Sequence, residues 1–148
     1  MNHSVPKKSQ GMEWISSPGK LPPGIRFDWV LLIEVIEHLH DPVRELRIIR
    51  KLLAPGGKLA LTTPNSKGWR ARIEGLRWRE AQNPTHLHIF SLPAITACLT
   101  RSGFHHIRRI YRPARYQEKK LNQTLLAITQ MLGIDGGMRI TAQPDLSP

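Results

Sequence analysis

Residues 27 to 65, FDWVLLIEVIEHLHDPVRELRIIRKLLAPGGKLALTTPN, constrain the fold more than any other stretch. Phe27 to Ile33 is a nearly unbroken apolar run, the pattern of a strand buried on both faces of a parallel sheet. Asp41 and Pro42 make a helix start, a capping side chain followed by a proline whose missing N–H costs nothing there. Val43, Leu46, Ile49 and Leu53 share one helical face. Pro55, Gly56 and Gly57 end the helix, and Lys58 to Thr63 returns as a second β-rich run. Strand, helix and strand at this spacing form a βαβ unit, so the chain is read as α/β.

The flanks are less regular. Residues 1–10 and 143–148 read as loose ends, Gly11–Ile15 as a short strand, and Ser16–Arg26, rich in proline and glycine, as loop. Residues 66–90 form a lid-like insertion. In it Trp69, Ile73 and Leu76 share a helical face with Trp78 opposite, and Gly68 and Gly75 keep the helix short. A lid over a substrate and a packed insertion whose tryptophans fill core fit this equally, and a membrane-surface patch fits less well because the apolar face is narrow. Ser91 is placed to cap a helix over Leu92–Ser102 that Gly103 stops, with Phe104 packing back. A strand follows over His105–Arg112. Leu121, Leu125, Ile128 and Leu132 are spaced as the buried stripe of a further helix ended by Gly133, and Met138, Ile140 and Ala142 alternate as a last strand.

Composition bounds the partners. With 22 Lys+Arg against 11 Asp+Glu, the net charge of +11 favours anionic partners in general. The basic residues are spread, with short clusters at 70–79 and 108–120, and there is no zinc-finger spacing, aromatic RNA-binding signature or Walker A loop. A solvated basic surface is therefore favoured over a nucleic-acid-binding module. Cys98 is the single cysteine, read as a buried small hydrophobe. It allows no internal disulfide, which together with the lack of an apolar signal segment or membrane-length run makes the cytoplasm the expected compartment.

FDWVLLIEVIEHLHDP, followed by LLAPGG and LALTTPN, resembles the central part of class I S-adenosylmethionine (SAM)-dependent methyltransferases, most closely the small-molecule group that includes ubiquinone-biosynthesis O-methyltransferases. The match continues through GLRWREAQNPTHLHIFS and LTRSGF, over roughly residues 11 to 112. It implies a Rossmann-like sheet in the order 3-2-1-4-5-7-6 with an antiparallel last strand, SAM as cofactor, and methyl transfer to a small-molecule acceptor such as a hydroxyl. No GxGxG turn occurs in the sequence, and Ser16 and Ser17 stand where the family often has an acid near the adenine. The expectation is a partial fold over residues 11–142, with central and C-terminal strands present and N-terminal ones missing, that by itself binds SAM weakly or not at all. Phe27–Ile33 would then be an apolar edge, open to Gly11–Ile15 or to a second chain in a homo- or hetero-oligomer. A non-catalytic methyltransferase-like partner is the alternative role.

The candidate site residues follow the strand ends, where open α/β sheets bind ligands. Ile33, Glu34, Glu37 and His38 are the expected cofactor contacts by resemblance. His38, with Glu37 beside it, is the candidate proton acceptor; the competing role for both is to cap the turn. Asn65, Trp78, His86 and His88 are the candidate acceptor-side residues, Asn65 with the alternative of an Asx turn. His38, His40, Asp41, His86 and His88, and separately Glu34 with Glu37 and His38, are residue types that bind metals, but scattered histidines are more often hydrogen-bonded scaffold, and no metal site is expected.

Overall fold

The computed structural model describes residues 21–111 and 120–145. The expected strand at Gly11–Ile15, Ser16, Ser17 and the loose N-terminus lie outside the described residues. Strand β1 (Phe27–Ile33) leads through a 3-10 turn at Ile36–His38 into α1 (Pro42–Leu52) and β2 (Leu53–Pro64). Then come the short helices α2 (Trp69–Glu74) and α3 (Arg79–Gln82), α4 (Leu92–Arg101), β3 (Phe104–Arg109), α5 (Lys120–Met131) and β4 (Gly137–Pro144).

The four strands form one sheet in the order β1-β2-β4-β3. β1 and β2 are parallel, while β4 is antiparallel to both β2 and β3. This is the 4-5-7-6 half of the expected order, antiparallel finish included.

The caps are where the sequence puts them. The Asp41 carboxylate accepts the Arg44 N–H at 3.0 Å to start α1, and Ser91 Oγ accepts the Ala94 N–H at 3.3 Å to start α4. Gly103 ends α4 at φ +82, a conformation that only glycine adopts without strain. β2 begins earlier than expected, at Leu53, so Leu53 leaves the helical stripe and is buried as a strand residue. Gly57 allows this: a Cβ there would lie 2.8 Å from the Phe27 carbonyl oxygen. At the far end Gln143 and Pro144, expected in the loose tail, belong to β4.

One face of the sheet carries the core. Val30 and Leu32 are in register with Leu59 and Leu61, and these with Ala142 and Ile140. Residues in register point to the same side, and this side packs with Leu46 of α1 and Ile95 and Leu99 of α4.

The opposite face corrects the first reading of β1. Trp29, Leu31 and Ile33 are 51%, 61% and 57% exposed, so the strand is not buried on both faces. Among the described residues nothing pairs with its free edge. The stripe on α5 is also not buried: Leu125, Ile128 and Leu132 are exposed, and the side that packs carries Gln130, 5% exposed. Among the described residues no helix is long and apolar enough to cross a membrane.

Candidate functional site

The carboxyl ends of β1 and β2 lie side by side and bring two residue pairs into contact, Glu34 with Thr62 and Glu37 with Thr63. Glu34, the first residue after β1, holds φ 52, in the left-handed region that non-glycine residues seldom occupy. Its backbone N–H points at the Thr62 carbonyl (3.2 Å) and at Thr62 Oγ1 (3.1 Å), while Thr62 Oγ1 donates to Glu34 Oε1 at 2.7 Å. The strained backbone is thus over-determined by the neighbouring strand, which is how such conformations persist at ligand sites. Ile33 and Glu34 are both exposed at this edge.

Three residues on, Glu37 is 1% exposed. Thr63 Oγ1 donates to its Oε2 at 3.1 Å, and its Oε1 has no partner among the described residues. A buried orphan carboxyl oxygen is costly. The Glu37 backbone carbonyl accepts the N–H groups of Leu87 and His88 at 2.9 and 3.1 Å, which fastens the 80–88 loop over the turn.

The histidine tautomers follow from their partners. A backbone carbonyl can only accept, so the His38 Nδ1, 2.8 Å from the Thr85 oxygen, carries the proton. The same holds for the His86 Nδ1, 3.0 Å from the Glu80 oxygen. In the neutral rings both Nε2 atoms are therefore the acceptors. The two rings meet edge to face with centroids 4.7 Å apart. One ligand atom each of Glu37, His38 and His86 lies within 4.8 Å of the others, an arrangement that can hold a metal ion.

The remaining candidates separate from this cluster. His40 is exposed. His88 and Asp41 line a different groove, between α1 and α4, so His38, His40, Asp41, His86 and His88 do not converge as one set. Asn65 is not an open substrate contact. It is 1% exposed, its Nδ2 donates to the Gly133 and Asp135 carbonyls at 3.0 Å each, and its Oδ1 accepts the Lys67 N–H at 3.0 Å. The Asx turn is what the sequence encodes there. Trp78, 7% exposed, fills core as in the packed-insertion reading, whereas Trp69, Ile73 and Leu76 of the same insertion are exposed. Sequence reasoning passed over Thr62 and Thr63, the hydroxyls that hold Glu34 and Glu37. Their position at the end of the strand beside the acidic turn was the available signal. Thr85 and Glu80 act through backbone carbonyls, which leave no mark in a sequence.

A family described as methyltransferase domain matches residues 2–108. The chain belongs to this methyltransferase family. The ubiquinone biosynthesis O-methyltransferase of Cereibacter sphaeroides (strain ATCC 17025 / ATH 2.4.3) is 40% identical over 70 residues, 46% of this chain and 28% of that protein. A tRNA U34 carboxymethyltransferase of Methylococcus capsulatus is 33% identical over 95 residues, 64% of this chain and 29% of that one. In fold, the methyltransferase domain is similar to a SAM-dependent methyltransferase from Thermotoga maritima, with TM-score 0.57 at 16% identity over 82% of this chain and 59% of that one. The family is that of class I SAM-dependent methyltransferases, whose cofactor is SAM, and the sheet is its Rossmann-like sheet in part. The chain spans under a third of the length of the curated relatives it matches.

Exposed carboxylate and apolar side chains at the carboxyl end of β1, Glu34 and Ile33, are of the kind a SAM site would need. Ile33 and Glu34 are exposed there, Glu34 with its backbone at φ 52, and Glu37 follows in the buried turn. The glycine-rich turn of such a site does not occur in the sequence.

Proposed function

We propose that this chain supplies the acceptor side of a SAM-dependent methyl transfer to a small-molecule hydroxyl. The observation that carries this is the convergence of Glu37, His38 and His86 at the carboxyl end of β1. Bound SAM would contribute an electrophilic methyl group. Ile33 and Glu34 would border it, and loop 80–88 would shield the acceptor from water. His38, with Nδ1 committed to the Thr85 carbonyl, turns Nε2 to the acceptor. When bound, SAM would give up its sulfonium methyl group and leave as the neutral thioether, and the His38 Nε2 would take the proton that the acceptor hydroxyl loses. The relative named as an O-methyltransferase supports a hydroxyl acceptor.

Two measurements on the 148-residue chain test this. Calorimetric titration with SAM is expected to give no micromolar binding, because no glycine-rich turn occurs in the sequence, and a micromolar dissociation constant overturns that part. NMR of the histidine rings during titration with catechol is expected to shift the signals of His38 and His86 and leave those of His105 and His106 in place. Shifts spread evenly over all four refute the acceptor role.

A second reading rests on the other face of β1. Trp29, Leu31 and Ile33 make an apolar row on a strand whose outer edge is unpaired among the described residues, a template for pairing with another chain. In that reading the protein is a non-catalytic partner that completes its sheet against a second subunit. Light scattering on the eluting protein should then give a mass above the 16.9 kDa of one chain, which Leu31→Lys returns to the single-chain value. A monodisperse monomer in the parent sinks this reading.

A further inference from the structure

A groove of about 480 Å³ runs between α1 and α4, apart from the Glu37–His38–His86 cluster. Its floor is apolar, with Phe90, Ala97 and Cys98 among the lining residues. Its polar lining is Asp41, Arg44, Arg47, His88 and Arg101. Its walls are joined: the Arg47 Nη2 donates to the Arg101 carbonyl at 3.2 Å, and Ser102 Oγ lies 3.3 Å from the Val43 carbonyl and 2.8 Å from that of Cys98.

Three features point to one ligand chemistry. Among the described residues none of the three guanidiniums takes part in an ion pair, and Asp41, the one acid in the lining, is already used as the α1 cap. Three positive charges less one negative leave two, which matches the charge of about −2 on a phosphate monoester. The His88 Nε2 is buried without a partner among the described residues, while its ring lies against Phe90 with centroids 5.6 Å apart. Guanidiniums suit phosphate because their planar donor forks meet its oxygens two at a time. The apolar floor would hold whatever the phosphate is attached to.

We propose that this groove binds an organic phosphate monoester, its phosphate held by Arg44, Arg47 and Arg101 and its apolar body lying on Phe90, Ala97 and Cys98. Hexyl phosphate is the probe, and inorganic phosphate and hexanol separate the two halves of the ligand. In titrations of the full chain, hexyl phosphate should bind about tenfold tighter than inorganic phosphate, and hexanol should not bind. The double substitution R44Q/R101Q should weaken hexyl phosphate by about tenfold or more, since it removes two charge-assisted donors.

Cys98 gives a readout that does not depend on a variant folding. It is the only cysteine, and burial pushes its thiol up, with Arg101 acting against that shift, so alkylation by iodoacetamide is followed at alkaline pH. Saturating hexyl phosphate should slow it severalfold in the parent chain. Unchanged alkylation, equal affinity for inorganic phosphate, or undiminished binding by a folded R44Q/R101Q protein would each overturn the assignment.

Discussion

Replacing Asp135 by alanine should destabilise the domain by about 3–5 kcal/mol, the usual cost of breaking a buried ion pair from one side. Asp135 Oδ1 accepts from Arg109 Nη2, with side chains only 12% and 10% exposed. Losing the carboxylate strands a guanidinium that the fold has already removed from water. The loop bearing Asp135 is also the fastening of the sheet's upper corner. The Asn65 N–H donates to the Gly136 carbonyl at 3.1 Å, and the Trp69 N–H to the Ile134 carbonyl at 2.7 Å. The variant should therefore loosen the start of α2 as well as the β3–β4 pair. Urea unfolding measures the loss. Replacing both partners with leucine should cost less than Asp135→Ala, because no unpaired charge stays behind. An Asp135→Ala unfolding free energy within about 0.5 kcal/mol of the parent would remove this pair from the account of stability.

Asn65→Ala should cost about 3 kcal/mol, by stranding buried backbone groups at roughly 1–3 kcal/mol each. The Gly133 and Asp135 carbonyls lose their donor, and the Lys67 N–H loses its acceptor. Asn65→Asp should be no milder, since it keeps the acceptor but turns an oxygen toward two carbonyls. The result also decides Asn65's role: a residue serving only a substrate would leave the unfolding curve where it was. Because Asn65 and Asp135 fasten the same corner, their losses should not add. A double-mutant cycle is expected to return a coupling of about 0.5–3 kcal/mol.

How far the sequence spoke differs from element to element. Asp41–Pro42 and Ser91 specify their caps locally, and both helices start there. The alternation of Met138, Ile140 and Ala142 reports a half-buried strand, and those residues are buried. Periodicity reports a stripe but not what covers it. The stripe on α5 and the row on β1 are as regular as the buried ones, yet Leu125, Ile128, Trp29 and Leu31 stand exposed. At the site, Glu34, Glu37 and His38 were visible because they follow a strand end. The choice between His86 and His88 was not, since it turns on which way a loop without regular period directs each ring. Asn65 was ambiguous for a related reason: its partners lie 68 and 70 residues away.

The place of β4 in the sheet has a consequence for how the chain is made. β4 lies between β2 and β3, yet it leaves the ribosome after both. Until residues 137–144 emerge, β2 offers its inner edge to solvent with the β1 pair already closed behind it, and β3 has nothing to zip against. Vectorial synthesis therefore yields a βαβ half first and a waiting strand second, and the last segment welds them. A chain made only as far as β3 therefore has two strand edges, on β2 and on β3, that in the finished sheet are both covered by β4.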